Sequence, residues 1–178
     1  AKAKIPLCPA RLRWHMIGHL QSNKCRDAIH LFEMIQSVDS LALAQEINKR
    51  AEQAAKTMPV LLEVNVAGEA SKFGYQPEVL LSELNQINEL PHVEIHGLMT
   101  MAPWTLETEK VRPIFRRLRE LKAQCEEILG APLPHPDQAG GEPQLHPGSC
   151  RQGLPKGQRQ GSMAREDRRG EQRCRPDR

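Results

Sequence analysis

Four side chains in this sequence have the type and setting to do chemistry: His15, Asn65, Lys72 and Met99. His15 lies in Trp14-His15-Met16-Ile17-Gly18-His19-Leu20-Gln21-Ser22-Asn23-Lys24, an apolar run that breaks at Gly18 into a polar loop opening a helix. An imidazole within such a strand can approach a ligand ring; the alternative is a core histidine bonded to its neighbours. The Asn65 amide can donate to a phenolic oxygen or hold a water. Left unpaired in the interior it would cost about 1–3 kcal/mol, so it needs either a ligand or a structural partner. Lys72 brings an amine that can form an imine with an aldehyde, provided desolvation or a nearby cation keeps it neutral. Its neighbours Ser71 and Gly74 suggest a solvated loop instead. Met99 is a polarizable gap-filler, suited to packing an interior or lying beside a ligand.

Other chemistries lack their residues. Gly18 and Gly74 stand alone, so no glycine-rich phosphate loop of the Walker or dinucleotide type is present. Cys8, Cys25, Cys125, Cys150 and Cys174 are far apart and form no C-x-x-C or Cys/His pair at metal-ligand spacing, which fits a reduced cytoplasmic protein. Asp39-Ser40 reads as a helix cap. Lys24 reads as a first-turn residue, although Ser22 and the free backbone N–H groups beside it could attract an anion.

The elements that must position these side chains alternate. Strand patterns cover Arg13 to Gly18, Met34 to Val38, Val60 to Val66 and Val93 to Met101, and a helical pattern follows each. The helices are Asn23 to Phe32; a segment capped by Ser40 with Leu43, Ile47, Ala51 and Ala54 on one face; Val79 to Leu90; and Val111 to Ile128, ended by Gly130. Four successive βα units imply a parallel sheet, either a barrel or an open doubly wound sheet. In Leu61-Leu62-Glu63-Val64-Asn65-Val66 the even positions are apolar and face helices, which sends Glu63 and Asn65 to the other side. A polar second face suits a barrel lumen better than an open sheet covered on both faces. In either fold ligands bind at the carboxyl ends of the strands, here in the loops His19 to Lys24, Asp39-Ser40, Ala67 to Tyr75 and Ala102 to Thr105.

Composition divides the 178-residue chain near residue 130. Residues 5–130 form the α/β unit. Residues 131–178 contain no Ile, Val or Phe and hold about half of the Gly and Pro, so they bury too little apolar surface to offset ordering and are expected to be disordered. The net charge of +3 comes from Arg151 to Arg178, where nine Lys/Arg face four Asp/Glu. Without aromatic residues to stack on bases, that basic tail makes a poor case for specific nucleic-acid binding. No apolar run has the length of a signal peptide or membrane span, so a cytoplasmic protein with no membrane partner is expected.

The Trp14 to Lys24 run, Ser37-Val38-Asp39-Ser40, Leu62-Glu63-Val64-Asn65-Val66 with Ser71-Lys72-Phe73-Gly74, and Gly97-Leu98-Met99-Thr100-Met101 together resemble the pyridoxal phosphate homeostasis proteins, in order and spacing, from about Lys4 to Pro134. The resemblance implies a (β/α)8 TIM-type barrel similar to the alanine racemase N-terminal domain. It also implies binding of pyridoxal 5′-phosphate (PLP) as a Schiff base to a lysine, in a cytoplasmic carrier that is not an enzyme. On this basis His15, Asn65, Lys72 and Met99 are the expected cofactor-binding residues, and residues 5–130 are an incomplete barrel of about four βα units.

Two departures from the family pattern carry further expectations. The family's Schiff-base lysine lies on a strand upstream of the Trp-His motif, and that segment is not in this sequence. The family's Leu-Ser-Met-Gly-Met-Ser and Val-Arg-Ile-Gly strands, which hold phosphate and pyridine nitrogen, are replaced after Pro134-His135 by Arg/Gly/Pro/Gln-rich sequence, as a frameshift in a gene fragment would produce. Weak or absent cofactor binding and self-association through exposed sheet edges are expected. The alternatives are a fragment acting through its basic tail on RNA or acidic partners, and a remnant of an alanine-racemase-like enzyme.

Overall fold

The alternation of apolar strands and amphipathic helices produces four consecutive βα units. The computed structural model describes residues 1–9, 11–69 and 72–134; of the expected tail it describes residues 131–134, where Leu133 packs into the core and donates its N–H to Glu126 Oε1 at 2.9 Å, and the rest of the tail lies outside the described residues. The units are β1 (His15–Met16) with α1 (Cys25–Leu31), β2 (Met34–Val38) with α2 (Leu41–Gln53), β3 (Met58–Glu63) with α3 (Pro77–Asn88), and β4 (Val93–Met99) with α4 (Arg112–Leu129). All strands are parallel and stand in the sheet in chain order, as successive strand–helix–strand crossovers place them. Among the described residues β1 and β4 each pair on one side only. No helix among them is long and apolar enough to cross a membrane.

The helices form where the sequence directs them. Ser40 Oγ accepts the Leu43 N–H at 3.4 Å, and α2 buries Leu43, Ala44, Ile47 and Ala51 on one face. α4 turns Leu121 and Cys125 into the core with Ile114 and Leu118 packed beside them, and ends at Gly130, whose φ of 67° is the left-handed conformation glycine adopts without penalty. Burial pushes the Cys25 and Cys125 thiols up to about 11, which leaves them protonated and inert at neutral pH.

The strands differ from expectation at their ends. Of Arg13 to Gly18, only His15 and Met16 pair, with Met34 and Ile35. Beyond them a side chain takes over from the ladder: the Ser37 hydroxyl donates to the Gly18 carbonyl at 2.8 Å. β3 starts two residues earlier than expected and stops at Glu63, because the chain returns after its loop. The Tyr75 N–H donates to the Glu63 carbonyl at 2.7 Å and the Asn65 N–H to the Tyr75 carbonyl at 2.9 Å, leaving Val64 in an isolated bridge with Tyr75. β4 stops at Met99, where the Thr100 hydroxyl donates to the Val64 carbonyl at 2.7 Å. Short 3-10 turns at Ile5–Leu7, Ser22–Lys24 and Thr108–Lys110 had no signal in the apolar periodicity.

The sheet buries both faces unequally. Toward the helices, Ile35, Val38, Val60, Leu62, Val64, Val93 and Ile95 join one large apolar cluster with the helix residues. On the opposite, inner face Met34 and Leu61 pack with Met99 in a small separate cluster. Alternation along β3 therefore sends Leu62 and Val64 to the helices and Leu61 and Glu63 inward, as the sequence pattern requires. A bulge in β4 between Ile95 and Gly97 then restores Leu98 to the helix side and Met99 to the inner one.

Gly74 makes the return to β3 possible. Its φ is +112°, and a Cβ there would lie 2.8 Å from the Asn65 nitrogen and 2.9 Å from the Val64 carbonyl carbon, backbone atoms that cannot move aside cheaply. Gly74→Ala is expected to destabilise the fold by about 1–3 kcal/mol, measured as a lower urea midpoint with unchanged slope; an unchanged midpoint would contradict this close approach.

Candidate functional site

The inner face and the loops at the carboxyl ends of the strands bring the four sequence-derived residues into two groups. His15 and Met99 belong to the inner face; Asn65 and Lys72 belong to the loop after β3. His15 stands opposite Met34 in the β1–β2 register. Its Nδ1 lies 2.9 Å from Gln36 Nε2, while its Nε2 is buried without a hydrogen-bond partner. A buried ring nitrogen without a partner is costly, and a ligand atom is one way to satisfy it. Met99 packs against Leu61 and Met34, giving the inner face an apolar floor.

Asn65 is buried at the root of the β3–α3 loop, and its amide is engaged on both ends by backbone. Nδ2 donates to the carbonyls of Glu69 at 2.7 Å and Lys72 at 3.4 Å, and Oδ1 accepts the Glu69 N–H at 3.2 Å. Its observed contacts are those of a loop organiser. Lys72 extends over the β4 end, where Nζ donates to the Met101 carbonyl at 3.1 Å and lies 3.2 Å from Glu69 Oε1. Its side chain is about a quarter exposed and is held from both the β4 end and its own loop.

Two further contacts tie the loops together, and neither was singled out by residue type and spacing. The His19 ring stacks on Phe73 with centroids 3.9 Å apart and planes 15° apart, while its Nδ1 lies 3.2 Å from Asp39 Oδ2. One imidazole thus links the loops after β1, β2 and β3. Beneath them Glu63 is 7% exposed, and its carboxylate makes no hydrogen bond among the described residues. Burial raises its pKa, the Asp39 carboxylate raises it further, and His19 opposes both. On β4, His96 is buried with Nε2 3.2 Å from Glu94 Oε2 but outside hydrogen-bond geometry. The inner face therefore carries a small apolar cluster with the His15 Nε2 left unpartnered beside it.

The chain is similar to known proteins over most of its length. The family model for the alanine racemase N-terminal domain matches residues 6–137. A pyridoxal phosphate homeostasis protein of Aquifex aeolicus is 44% identical over 124 residues, covering 70% of this chain and 54% of that protein. PipY of Synechococcus elongatus, solved without PLP, superposes with a TM-score of 0.65 at 35% identity, covering 71% of this chain and 58% of PipY. The PipY structure with PLP bound gives 0.63 at 34% identity, covering 71% of this chain and 57% of PipY. The chain spans about half the length of the curated relatives it matches. Matched over most of its length, the chain belongs to the alanine racemase N-terminal domain family, and its relatives there are named pyridoxal phosphate homeostasis proteins.

Proposed function

We propose that this chain contributes the ring-contacting part of a PLP-binding homeostasis protein, which carries the cofactor and does not turn over a substrate. The observation that carries this reading is the buried, unpartnered His15 Nε2 on the inner face, in a chain whose relative PipY was solved with PLP bound. PLP presents a flat ring with a phenolic oxygen, an aldehyde and a phosphate. His15 would meet its polar edge, Met99 and Leu61 its face, and the Asn65-organised loop with Lys72 and Phe73 would cover it. When bound, the group supplies an electrophilic aldehyde.

Two observations limit what this chain does with that aldehyde. The Lys72 amine is engaged by the Met101 carbonyl and the Glu69 carboxylate, contacts that an imine at that nitrogen would have to break. Lys24 and Lys110, the other described lysines between a strand and the α-helix that follows it, are exposed in the Ser22–Lys24 and Thr108–Lys110 turns. Binding by this chain is therefore reversible and weak, without a covalent bond to Lys72.

Titrating the purified chain with PLP, followed by absorbance, is expected to show saturable binding that borohydride does not fix to the protein at stoichiometric yield. His15→Leu should weaken it about tenfold, and Lys72→Ala should leave it within about threefold. No saturable binding, or a stoichiometric adduct on Lys72, would contradict the proposal.

Glu63 adds a pH dependence. Its folded pKa lies above the unfolded value, so its contribution is most favourable at low pH and is lost as pH rises from the ordinary glutamate range through the raised one. Stability is expected to fall across that window in the wild type and to stay flatter in Glu63→Gln, by urea unfolding at several pH values. Identical pH profiles would show that Glu63 ionises at no cost to the fold.

A further inference from the structure

The unpartnered nitrogen of His15 raises the question of which end of the ring carries the proton, because that decides what a ligand must offer. A neutral imidazole has one N–H and one bare nitrogen, and the partner of one fixes the role of the other. His15 Nδ1 faces Gln36 Nε2 at 2.9 Å, and an amide NH2 group can only donate. The same Nε2 lies 3.8 Å from Met34 Sδ, a weak acceptor, so both amide hydrogens have a destination with the NH2 end turned toward β1. Nδ1 is then the acceptor, and the ring proton resides on the buried Nε2.

We propose that Gln36 is a positioning residue that holds His15 as the Nε2–H tautomer, so that the inner face presents a hydrogen-bond donor to an anionic or carbonyl oxygen of the ligand. The proposal deepens the reading of this face as a PLP site and rests on it for the ligand, while the tautomer is a property of the protein alone. The pairing follows from the sheet. β1 and β2 are adjacent and parallel, His15 stands opposite Met34, and Gln36 is the next residue of β2 on the inner side of Met34. The Gln36 amide therefore reaches along the sheet face to Nδ1 while leaving Nε2 free for a ligand. Gln36 touches the ligand only through His15, which separates its role from that of a direct contact.

The test uses the full chain labelled with 15N-histidine, with the His15 ring signals assigned from a His15→Asn variant. Wild-type His15 is expected to show the Nε2–H pattern of imidazole nitrogen shifts. Gln36→Leu, which removes the donor, should give a mixture of tautomers. Gln36→Glu, whose carboxylate can only accept, should place a proton on Nδ1. Both variants are checked for folding by circular dichroism. In a parallel PLP titration, Gln36→Leu should bind about tenfold more weakly than wild type. An Nδ1–H pattern in the wild type, or a tautomer unmoved by either variant, would overturn the proposal. Tautomer shifts as expected, with no PLP binding by wild type, would uphold the positioning role of Gln36 and reject the cofactor reading instead.

Discussion

The structure depends on β3 being buried on both faces at once. Its helix-facing residues Met58, Val60 and Leu62 join the large cluster formed with the helices, while Leu61 and Glu63 face inward. A strand with period-two alternation cannot slip by one residue without exchanging these sets, placing Glu63 among helix side chains and Leu62 in the lumen. The same register fixes its neighbours, since β2 and β4 pair to either side of it and β1 pairs to β2. The inner face is thus a consequence of packing the outer one.

Loop closure follows from where β3 ends. After Glu63 the ladder with β4 gives way to hydrogen bonds with the returning Tyr75, and Gly74 supplies a backbone conformation and a closeness that a side chain would block. Asn65 then gathers the loop backbone, and the loop brings Phe73 to His19, which reaches Asp39. His15 Nε2 and the Glu63 carboxyl are left over on the inner face, the side proposed to receive the cofactor.

Much of this was legible in the sequence. The four helices follow from apolar spacing together with the Ser40 cap and the Gly130 stop, and the bounds of β2 match the expected Met34 to Val38, which the Asp39-Ser40 helix cap ends. The inward direction of Glu63 also followed from alternation. β1 was overestimated because the apolar character of Trp14 to Ile17 says nothing of how much chain the neighbouring strand can pair. Asn65 was singled out by type and place, yet its bonds go to a loop whose path no local pattern specifies. Gln36 and the contact of His19 with Phe73 and Asp39 were not legible for the same reason. They join residues far apart in the chain, and only the sheet register and the glycine-permitted return bring them together.

The central claim is that the inner face, and no other surface, receives PLP. The chain carries methionines on both sides of the sheet, with Met34 and Met99 on the inner face and Met58 in the helix-side core. Methyl NMR of selectively labelled methionine during a PLP titration reads both sides in one experiment. The account expects the Met34 and Met99 methyl resonances to move progressively and saturably while Met58 stays in place. Movement of Met58 with Met34 and Met99 silent, or saturable binding that moves none of the three, would place the cofactor elsewhere and contradict the account.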